Sequence, residues 1–211
     1  MKNSGEQQAI VLVIDDDVSL RDALSSLFRS VGLQVKLFAS VAEFQQSKLP
    51  DVPSCLVLDI RLPGLSGLEF QSDLAKTDIH IPIVFMTGHG DIPMSVRAMK
   101  AGAVEFLTKP FRDQDMLDAV QLAIEKDRRR REGEASTVQL KSSFQSLTSR
   151  EQQVMSLVTA GLMNKQIAGE IGVSEITAKL HRGNVMRKMG AKSVAELVRM
   201  ADALGVRPKS G

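Results

Sequence analysis

Hydrophobic and polar residues follow two different patterns along the chain. In the first half, short continuous apolar runs such as residues 9–15 and 55–60 alternate with segments whose apolar residues recur every three or four positions. A continuous apolar run is typical of a strand buried on both faces, and the three-to-four spacing is typical of an amphipathic helix. Strands that alternate with helices in this way predict an α/β fold with a doubly wound parallel sheet.

The first half contains five such strand–helix pairs. Strands are predicted at residues 9–15, 34–38, 55–60, 81–87 and 103–109. Helices are predicted at residues 18–30, from 41, at 68–76, at 94–101 just after Pro93, and from about 112. Ligands of such sheets bind beyond the carboxyl ends of the strands, so the chemistry is expected at that edge.

The second half, from Leu147 onward, has only helical patterns. Four short helices are predicted near residues 149–160, 164–171, 175–189 and 194–204. Thr148 with Glu151, and Ser193 with Glu196, have the spacing of capping boxes at helix starts. Glycine adopts the left-handed conformation that closes a helix, and three glycines stand where these helices should end: Gly161, Gly172 and Gly190.

The charge distribution also divides the chain. Residues 1–125 carry 11 Lys and Arg against 17 Asp and Glu, a net charge of −6, whereas residues 126–211 carry 16 against 8, a net charge of +8. A basic half suits a polyanionic partner such as nucleic acid. We therefore predict domains at residues 1–125 and 145–211, joined by a charged linker at 126–144 that begins as the solvated end of the fifth helix.

Composition excludes several classes of protein. Of the 211 residues, 43% are hydrophobic and 25% are charged, as in globular proteins rather than disordered chains. The single cysteine, Cys55, excludes a disulfide framework and a cysteine-rich zinc site. The absence of Trp and Tyr argues against stacking platforms for single-stranded nucleic acid. No apolar run reaches the roughly 18 residues of a membrane span. Residues 1–8 also lack a signal-peptide pattern, so no membrane partner and a cytoplasmic location are expected.

Polar residues stand at the carboxyl ends of four predicted strands. Asp15 and Asp16 end the first strand, Asp59 the third, Thr87 the fourth and Lys109 the fifth. Parallel strands bring these ends to one edge, and this set of groups suits phosphoryl transfer to a carboxylate. Carboxylates are ligands for Mg²⁺, a lysine balances phosphoryl charge, and a hydroxyl donates to a phosphate oxygen. Asp59, alone at the end of the central strand, is the candidate nucleophile.

Residues 9–125 resemble the receiver domains of bacterial response regulators. The resemblance rests on the segments VLVIDDD, CLVLDIRLPGLSG, IPIVFMTGHGD and AGAVEFLTKPF, which occur in the family's order. It implies the strand order 2-1-3-4-5, a cis peptide bond at Lys109-Pro110, and an influence of Arg61 and His89 on phosphate lifetime. For the site, it implies Asp59 as the phospho-acceptor, beside Lys109, and Thr87 and Phe106 as a switch pair. It also implies Mg²⁺ ligands at Asp15, Asp16, Asp59 and the main-chain carbonyl of Arg61.

Residues 164–189 have the pattern of a helix-turn-helix, in which a turn at Gly172 separates a short helix from a longer one. Four residues of the longer helix share a face and are predicted to pack inward: Ala178, His181, Val185 and Met189. On the other side, basic side chains can reach phosphates or bases, and the apolar Ile176 or Leu180 can contact a thymine methyl group. The predicted DNA contacts are Lys165, Thr177, Lys179, Leu180, Arg182 and Gly183.

Residues 147–204 resemble the DNA-binding domain of the LuxR/NarL/FixJ class. The match runs through LTSREQQVMSLVTAGLMNKQIAGEIGVSEITAKLHRGNVMRKMGAKS. It implies a four-helix domain whose third helix enters the DNA major groove and whose last helix pairs two copies. Two residues depart from the class, because Ala178 replaces the usual valine and Gly183 stands where a polar or basic residue is common. The identity of the bases that are contacted therefore stays open.

Together the two resemblances predict a transcriptional response regulator of a two-component system. A sensor histidine kinase would phosphorylate Asp59. The chain would then form a homodimer, bind double-stranded promoter DNA and recruit RNA polymerase, with activation as the expected outcome. No enzymatic activity is expected beyond slow self-dephosphorylation.

Two other interpretations stay open at this point. Asp15 and Asp17 after an apolar strand, with Thr87 and Lys109 at later strand ends, also resemble the parts of a haloacid-dehalogenase-like phosphatase, whose nucleophile would be Asp15. In a receiver domain, Asp17 would simply cap the following helix. The third interpretation is an interaction module that never binds DNA, in which the last four helices serve only oligomerisation.

Overall fold

The structure, a computed structural model, describes residues 8–77, 79–88 and 92–206. The chain divides into two units, with the boundary between Glu132 and Gly133. All described strands lie in the first unit, and the second unit is built from helices. His89, to which the receiver resemblance assigned an influence on phosphate lifetime, and residues 1–7 lie outside the described residues.

The first unit is a five-stranded parallel sheet with the order β2-β1-β3-β4-β5, which confirms the predicted fold class and strand order. The strands are β1 (Ile10–Ile14), β2 (Gln34–Phe38), β3 (Ser54–Asp59), β4 (Ile83–Thr87) and β5 (Glu105–Thr108). The helices are α1 (Val18–Ser30), α2 (Val41–Gln46), α3 (Gly67–Leu74), α4 (Ile92–Lys100) and the first part of α5 (Asp113–Gln145).

Side chains of the sheet enter two apolar cores, one on each face. Leu12 of β1 packs in one core with Phe70 of α3, whereas its neighbour Val13 packs in the other with Phe28 of α1 and Val120 of α5. Because helices cover both faces, every residue of β1, β3 and β4 is buried. This burial is the physical reason for the continuous apolar runs in the sequence.

Two element boundaries that differ from the prediction lie next to a proline. β4 begins at Ile83 rather than at residue 81, since Pro82 has no amide hydrogen to donate to a neighbouring strand. α4 begins at Ile92, so Pro93 lies inside its first turn rather than before it. Proline is tolerated there because the amides of the first turn have no acceptor within the helix.

α5 is a single helix of 33 residues that crosses the boundary between the two units. The predicted linker at 126–144 lies entirely within this helix. Between Met116 and Asp127, its buried residues recur at helical spacing and belong to the first unit. Leu140 and Phe144 pack against the core of the second unit, so that core reaches into the segment that the sequence assigned to the linker.

A buried carboxylate ends the part of α5 that packs on the sheet. Asp127 is fully buried and accepts hydrogen bonds from the Ser54 amide at 2.9 Å and the Ser54 hydroxyl at 3.5 Å. It also accepts from Arg130 at 2.7 and 3.0 Å and from Arg131 at 2.8 Å. Arg131 in addition reaches Asp51 at 2.8 Å. The start of β3 is therefore tied to α5 by charged groups that the sequence assigned to a solvated helix end.

The second unit contains four further helices that agree with the prediction to within a residue: α6 (Ser149–Thr159), α7 (Asn164–Ile171), α8 (Glu175–Met189) and α9 (Val194–Ala203). Their buried faces form one core, in which Val154, Ile167, Val185 and Leu197 contribute one residue from each helix. Among the helices in the described ranges, none has both the length and the apolar composition that a bilayer crossing requires.

Helix ends in the second unit follow the predicted caps with one exception. The left-handed backbone of the three helix-ending glycines is confirmed by φ values of 86°, 68° and 71° at Gly161, Gly172 and Gly190. The capping box of Thr148 and Glu151 is also confirmed. The second box was wrong, because the Glu196 carboxylate accepts from the Lys192 amide instead of the Ser193 amide. Ser193 still caps α9 through the Glu196 amide.

Candidate functional site

Three carboxylates lie together at the carboxyl ends of β1 and β3. Asp15, Asp16 and Asp59 each offer an oxygen within 4.8 Å of the others. The strands β1 and β3 are neighbours in the sheet, and their parallel pairing brings Ile14 opposite Leu58, so both chains leave the sheet at the same edge. Asp15 and Asp59 are buried, whereas Asp16 is exposed. Two of the acids are therefore fixed by the fold, and the third faces solvent.

Lys109 joins the two buried carboxylates. Its Nζ donates to Asp15 Oδ2 at 2.8 Å and to Asp59 Oδ2 at 2.7 Å. Lys109 directly follows β5, and its amide donates to the Thr87 carbonyl at 2.7 Å. The next bond, Lys109-Pro110, is cis, as the receiver resemblance implied. The ends of β1, β3, β4 and β5 thus meet at one lysine.

Burial and this ion pairing set the ionisation of the site. Burial raises the pKa of Asp15 above its usual value, and the hydrogen bonds from Lys109 and the Asp17 amide offset only part of that effect. For Lys109, burial disfavours the ammonium form, but the hydrogen bonds and charges of Asp15 and Asp59 outweigh burial and raise its pKa. Lys109 is therefore a fixed positive charge between two acids.

Backbone amides hold the outer oxygens of the same two aspartates. Asp15 Oδ1 accepts from the Asp17 amide at 2.8 Å, and Asp59 Oδ1 accepts from the Arg61 amide at 3.0 Å. The Arg21 guanidinium donates to the Asp15 main-chain carbonyl at 2.6 Å, a contact that the sequence reading missed. Its only sequence signal was a cation one turn after Asp17, at the start of α1. These contacts fix the aspartates before any ligand arrives.

Asp17 itself does not join the acidic cluster. Its Oδ1 accepts from the Ser19 amide at 2.8 Å and the Leu20 amide at 3.3 Å, so it caps α1. The interpretation of Asp17 as a helix cap is confirmed. The second aspartate that a phosphatase motif would need is therefore engaged in holding a helix.

Gly67 leaves room for the end of β3. A Cβ atom at this position would lie 2.5 Å from the main-chain oxygen of Asp59 and 3.0 Å from the Ile60 Cα. Both are backbone atoms, which do not move aside as a flexible side chain would. The glycine is thus required by the close approach of α3 to the candidate nucleophile.

The two predicted switch residues lie on the neighbouring strands. Thr87 is buried at the end of β4, where it pairs with Thr108. Phe106 is half-buried on β5, lies opposite Phe85, and packs against the core that contains α2, α3 and α4. Thr87 is placed beside the acidic cluster by its strand, whereas Phe106 lies nearer the beginning of β5.

The second unit contains the predicted helix-turn-helix. α7 ends at Gly172, and α8 begins after Ser174, whose hydroxyl accepts from the Thr177 amide at 3.2 Å. Three of the four residues predicted to pack inward from α8 are buried, and His181 is half-buried. The orientation of α8 about its axis therefore agrees with the prediction.

The opposite face of α8 is open to solvent. Ile176 is 83% exposed and Leu180 is 63% exposed. Lys179, which lies between them in the sequence, and Gly183, which follows them, are also exposed. A Cβ atom at Gly183 would have no other described residue within 4 Å. Lys165, at the start of α7, is exposed as well.

Two of the predicted DNA contacts already have partners within the protein. The Thr177 hydroxyl lies 2.8 Å from the Ser174 hydroxyl, so it takes part in the cap of α8. Arg182 is half-buried and donates to Asn164 Oδ1 of α7 at 3.2 Å. Asn164 was missed from the sequence, because 18 residues separate it from the arginine that it orients.

The carboxyl end of α8 is tied to the start of α6. Lys188 donates to Glu151 Oε2 at 2.6 Å and to the Ser146 carbonyl at 3.3 Å. Glu151 is buried and also accepts from the Thr148 amide, and the hydrogen bonds from Lys188 and Thr148 hold its pKa below the usual range. Cap and ion pair together fix the exposed face of α8 relative to the rest of its domain.

Comparison with known proteins agrees with this division of the chain. Residues 11–121 match the response regulator receiver domain, and residues 145–201 match the bacterial regulatory proteins of the luxR family. Nodulation protein W of Bradyrhizobium diazoefficiens is 61% identical over 199 residues, which cover 94% of this chain and 88% of that protein. The response regulator protein TmoT of Ectopseudomonas mendocina is 45% identical over 203 residues, which cover 96% of this chain and 92% of that protein.

A solved structure resembles the whole chain. The response regulator StyR has a TM-score of 0.84 and 49% sequence identity, over 93% of this chain and 99% of its own. The receiver match, together with Asp17 as a helix cap, excludes the phosphatase interpretation. The chain therefore belongs to the transcriptional response regulators of two-component systems, in which a receiver domain is joined to a LuxR-type DNA-binding domain.

Proposed function

We propose that a sensor histidine kinase phosphorylates Asp59 and that this modification promotes dimerisation and binding to promoter DNA. The observation that carries the proposal is the position of Lys109, whose Nζ lies 2.7 Å from Asp59 Oδ2 and 2.8 Å from Asp15 Oδ2. Asp59 is held at a strand end beside a cation and a second buried acid, where a transferred phosphoryl group would find compensating charge.

The donor set fits a magnesium ion. The cluster of Asp15, Asp16 and Asp59 offers only hard carboxylate oxygens, and exposed Asp16 leaves one side open to water ligands, which Mg²⁺ retains. We assign a further ligand to the main-chain carbonyl of Arg61. When bound, the ion supplies positive charge that offsets the repulsion between the phosphoryl group and the aspartates.

The proposed transfer needs little from the protein beyond position and charge. A carboxylate oxygen of Asp59 forms a bond to phosphorus while the bond from phosphorus to the donor's leaving atom breaks. Lys109 then pairs with the phosphoryl oxygens, and the Thr87 hydroxyl donates to one of them. Hydrolysis of the phosphoryl-aspartate by water slowly reverses the modification. In the switch, Thr87 moves toward the phosphoryl group and Phe106 turns inward.

Dimerisation is assigned to the face of α4 and β5. We define the α4 stripe as Ile92, Val96 and Met99, which lie at helical spacing and are 80%, 43% and 43% exposed. Exposed apolar residues grouped on one helix face are typical of an interaction surface. The stripe neighbours β5, which contains the switch residue Phe106. A second copy of the chain is the partner that such a regulator requires.

Val96→Glu should weaken phosphorylation-dependent dimerisation. The new carboxylate would be buried without a partner in the dimer, so we expect dimer affinity to fall by about tenfold or more. The measurement is sedimentation velocity with acetyl phosphate and Mg²⁺. Val31→Glu is the matched control, because Val31 is 52% exposed at the end of α1 and should leave dimerisation intact. If both variants dimerised equally well, α4 would not be part of the dimer interface.

DNA binding is assigned to the exposed face of α8 together with Lys165. The proposed location is the cytoplasm, where the promoter DNA lies. Recruitment of RNA polymerase and activation of transcription are the proposed consequences. Lys179 lies early on the exposed face, where it can reach base edges. Arg182 is held by Asn164 at the edge of that face, where a phosphate is the expected partner.

Lys179→Ala should therefore reduce the preference for a selected site over random duplex by about 1–3 kcal/mol. Arg182→Ala should instead weaken both complexes alike and reduce the salt dependence by about one counterion. Binding of both variants to both duplexes is measured across a salt series. If Arg182→Ala alone changed specificity, the two roles would be reversed.

One experiment tests the proposed function as a whole. The full chain is studied by sedimentation and by binding to a random-sequence duplex library, with and without acetyl phosphate and Mg²⁺. Dimer formation and enrichment of specific sequences should both require the phosphodonor and the metal. A chain that enriches no sequence under either condition would instead be an interaction module.

A further inference from the structure

Two apolar side chains on α8 are left largely uncovered by the described residues of the domain. Ile176 is 83% exposed and Leu180 is 63% exposed, while buried residues of the same helix fill the core. They stand four residues apart, so both project from one side of the helix, one turn from each other. Large aliphatic side chains gain free energy when they leave water, so this arrangement calls for a partner surface.

The surroundings identify duplex DNA as that surface. Lys179 stands between the two apolar residues, and Arg182 flanks them on the same helix. Residues 126–211 as a whole carry a net charge of +8. The two apolar residues are bordered by cations, which suit the phosphates on either side of a major groove. Within the major groove, the apolar group on a base edge is the 5-methyl group of thymine.

We propose that Ile176 and Leu180 recognise two thymine methyl groups, an inference that rests on the DNA binding proposed above. Four residues along an α-helix advance about 6 Å, and successive base pairs along one strand are about 3.4 Å apart. If α8 lies along the major groove, the two methyl groups are about two base pairs apart in each half-site. Gly183 lies about one further turn along α8 from Leu180, and it has no side chain to contact a base.

The fit of these residues to the groove follows from the rest of the domain. Ala178 and Val185 are buried on the opposite face, and Lys188 anchors the end of the helix through Glu151. The helix cannot rotate to hide Ile176 and Leu180 without exposing that core. The two side chains are therefore presented to DNA in a fixed orientation.

The test removes single methyl groups from the DNA. The full chain, with acetyl phosphate and Mg²⁺, first selects duplexes from a random library. In a selected duplex, each thymine is then replaced in turn by deoxyuridine, which lacks only the 5-methyl group. We expect affinity to fall about fourfold at two thymines roughly two base pairs apart in each half-site, and to change little at the others.

Protein variants assign each methyl group to a side chain. Ile176→Ala should lose the deoxyuridine effect at one of the two thymines, and Leu180→Ala at the other. Both side chains are exposed, so thermal unfolding should be unchanged. Lys179→Ala, as the control, should bind more weakly but keep both effects. The proposal is overturned if no thymine is sensitive, or if the sensitivity survives both alanine variants. Failure to select any sequence would instead reject the proposed DNA binding itself.

Discussion

Asp127→Ala is expected to destabilise the receiver domain by about 3 kcal/mol. The substitution leaves the buried Ser54 amide and hydroxyl without the acceptor that Asp127 provides, and it removes a carboxylate to which Arg130 and Arg131 both donate. Urea unfolding of the full chain measures the effect. Asp127→Asn should have an intermediate effect, because it keeps an acceptor for Ser54 but loses the charge.

A partly exposed acid of the same helix provides the control for Asp127. Asp115 pairs with Arg112, whose side chain is 84% exposed, so solvent screens the pair. Asp115→Ala should therefore leave the urea midpoint almost unchanged. If Asp127→Ala behaved like Asp115→Ala, the network at the start of β3 would be a feature of the surface rather than a support of the fold.

Asp59→Asn is expected to abolish phosphorylation, and with it the dimerisation and sequence-specific binding that follow. Asparagine keeps an oxygen that accepts from the Arg61 amide, so the local structure of the site is retained. It lacks the nucleophilic carboxylate, so phosphoryl transfer does not occur. The measurement is Mg²⁺-dependent incorporation of label from acetyl phosphate into the full chain, together with sedimentation.

Asp22→Asn serves as the matched control for Asp59, since Asp22 is an exposed aspartate on α1. Its labelling should equal that of the unmodified chain. Undiminished labelling of Asp59→Asn would move the acceptor to Asp15 or Asp16. Loss of labelling with retained dimerisation would separate the modification from assembly.

Periodicity predicted the fold because three of the five strands, β1, β3 and β4, are buried along their whole length. Continuous apolar runs then mark the strands, and the first polar residue after each run marks the edge where side chains converge. Asp15, Asp59 and Lys109 could be placed together in this way although 94 residues separate the first from the last. Parallel topology alone supplied that proximity.

Contacts that depend on side-chain direction were beyond the sequence pattern. Arg182 meets Asn164 from another helix, and Glu196 reaches the Lys192 amide instead of completing its box. Asp127 carried a signal that could have been used, because it continues the buried spacing of α5 after Ala123 and Ile124. A charged residue on an inward face needs a buried partner, and the neighbouring arginines were available.

The buried thiol of β3 makes the receiver domain its own reporter of opening. Cys55 is the sole cysteine of the chain and is fully buried. Burial raises the pKa of its thiol, and the Asp127 carboxylate acts in the same direction, so the folded domain protects it from alkylation twice over. The DNA-binding domain has no thiol. The rate at which Cys55 of the unmodified protein is alkylated therefore measures the opening of the receiver domain alone, without a contribution from the DNA-binding domain.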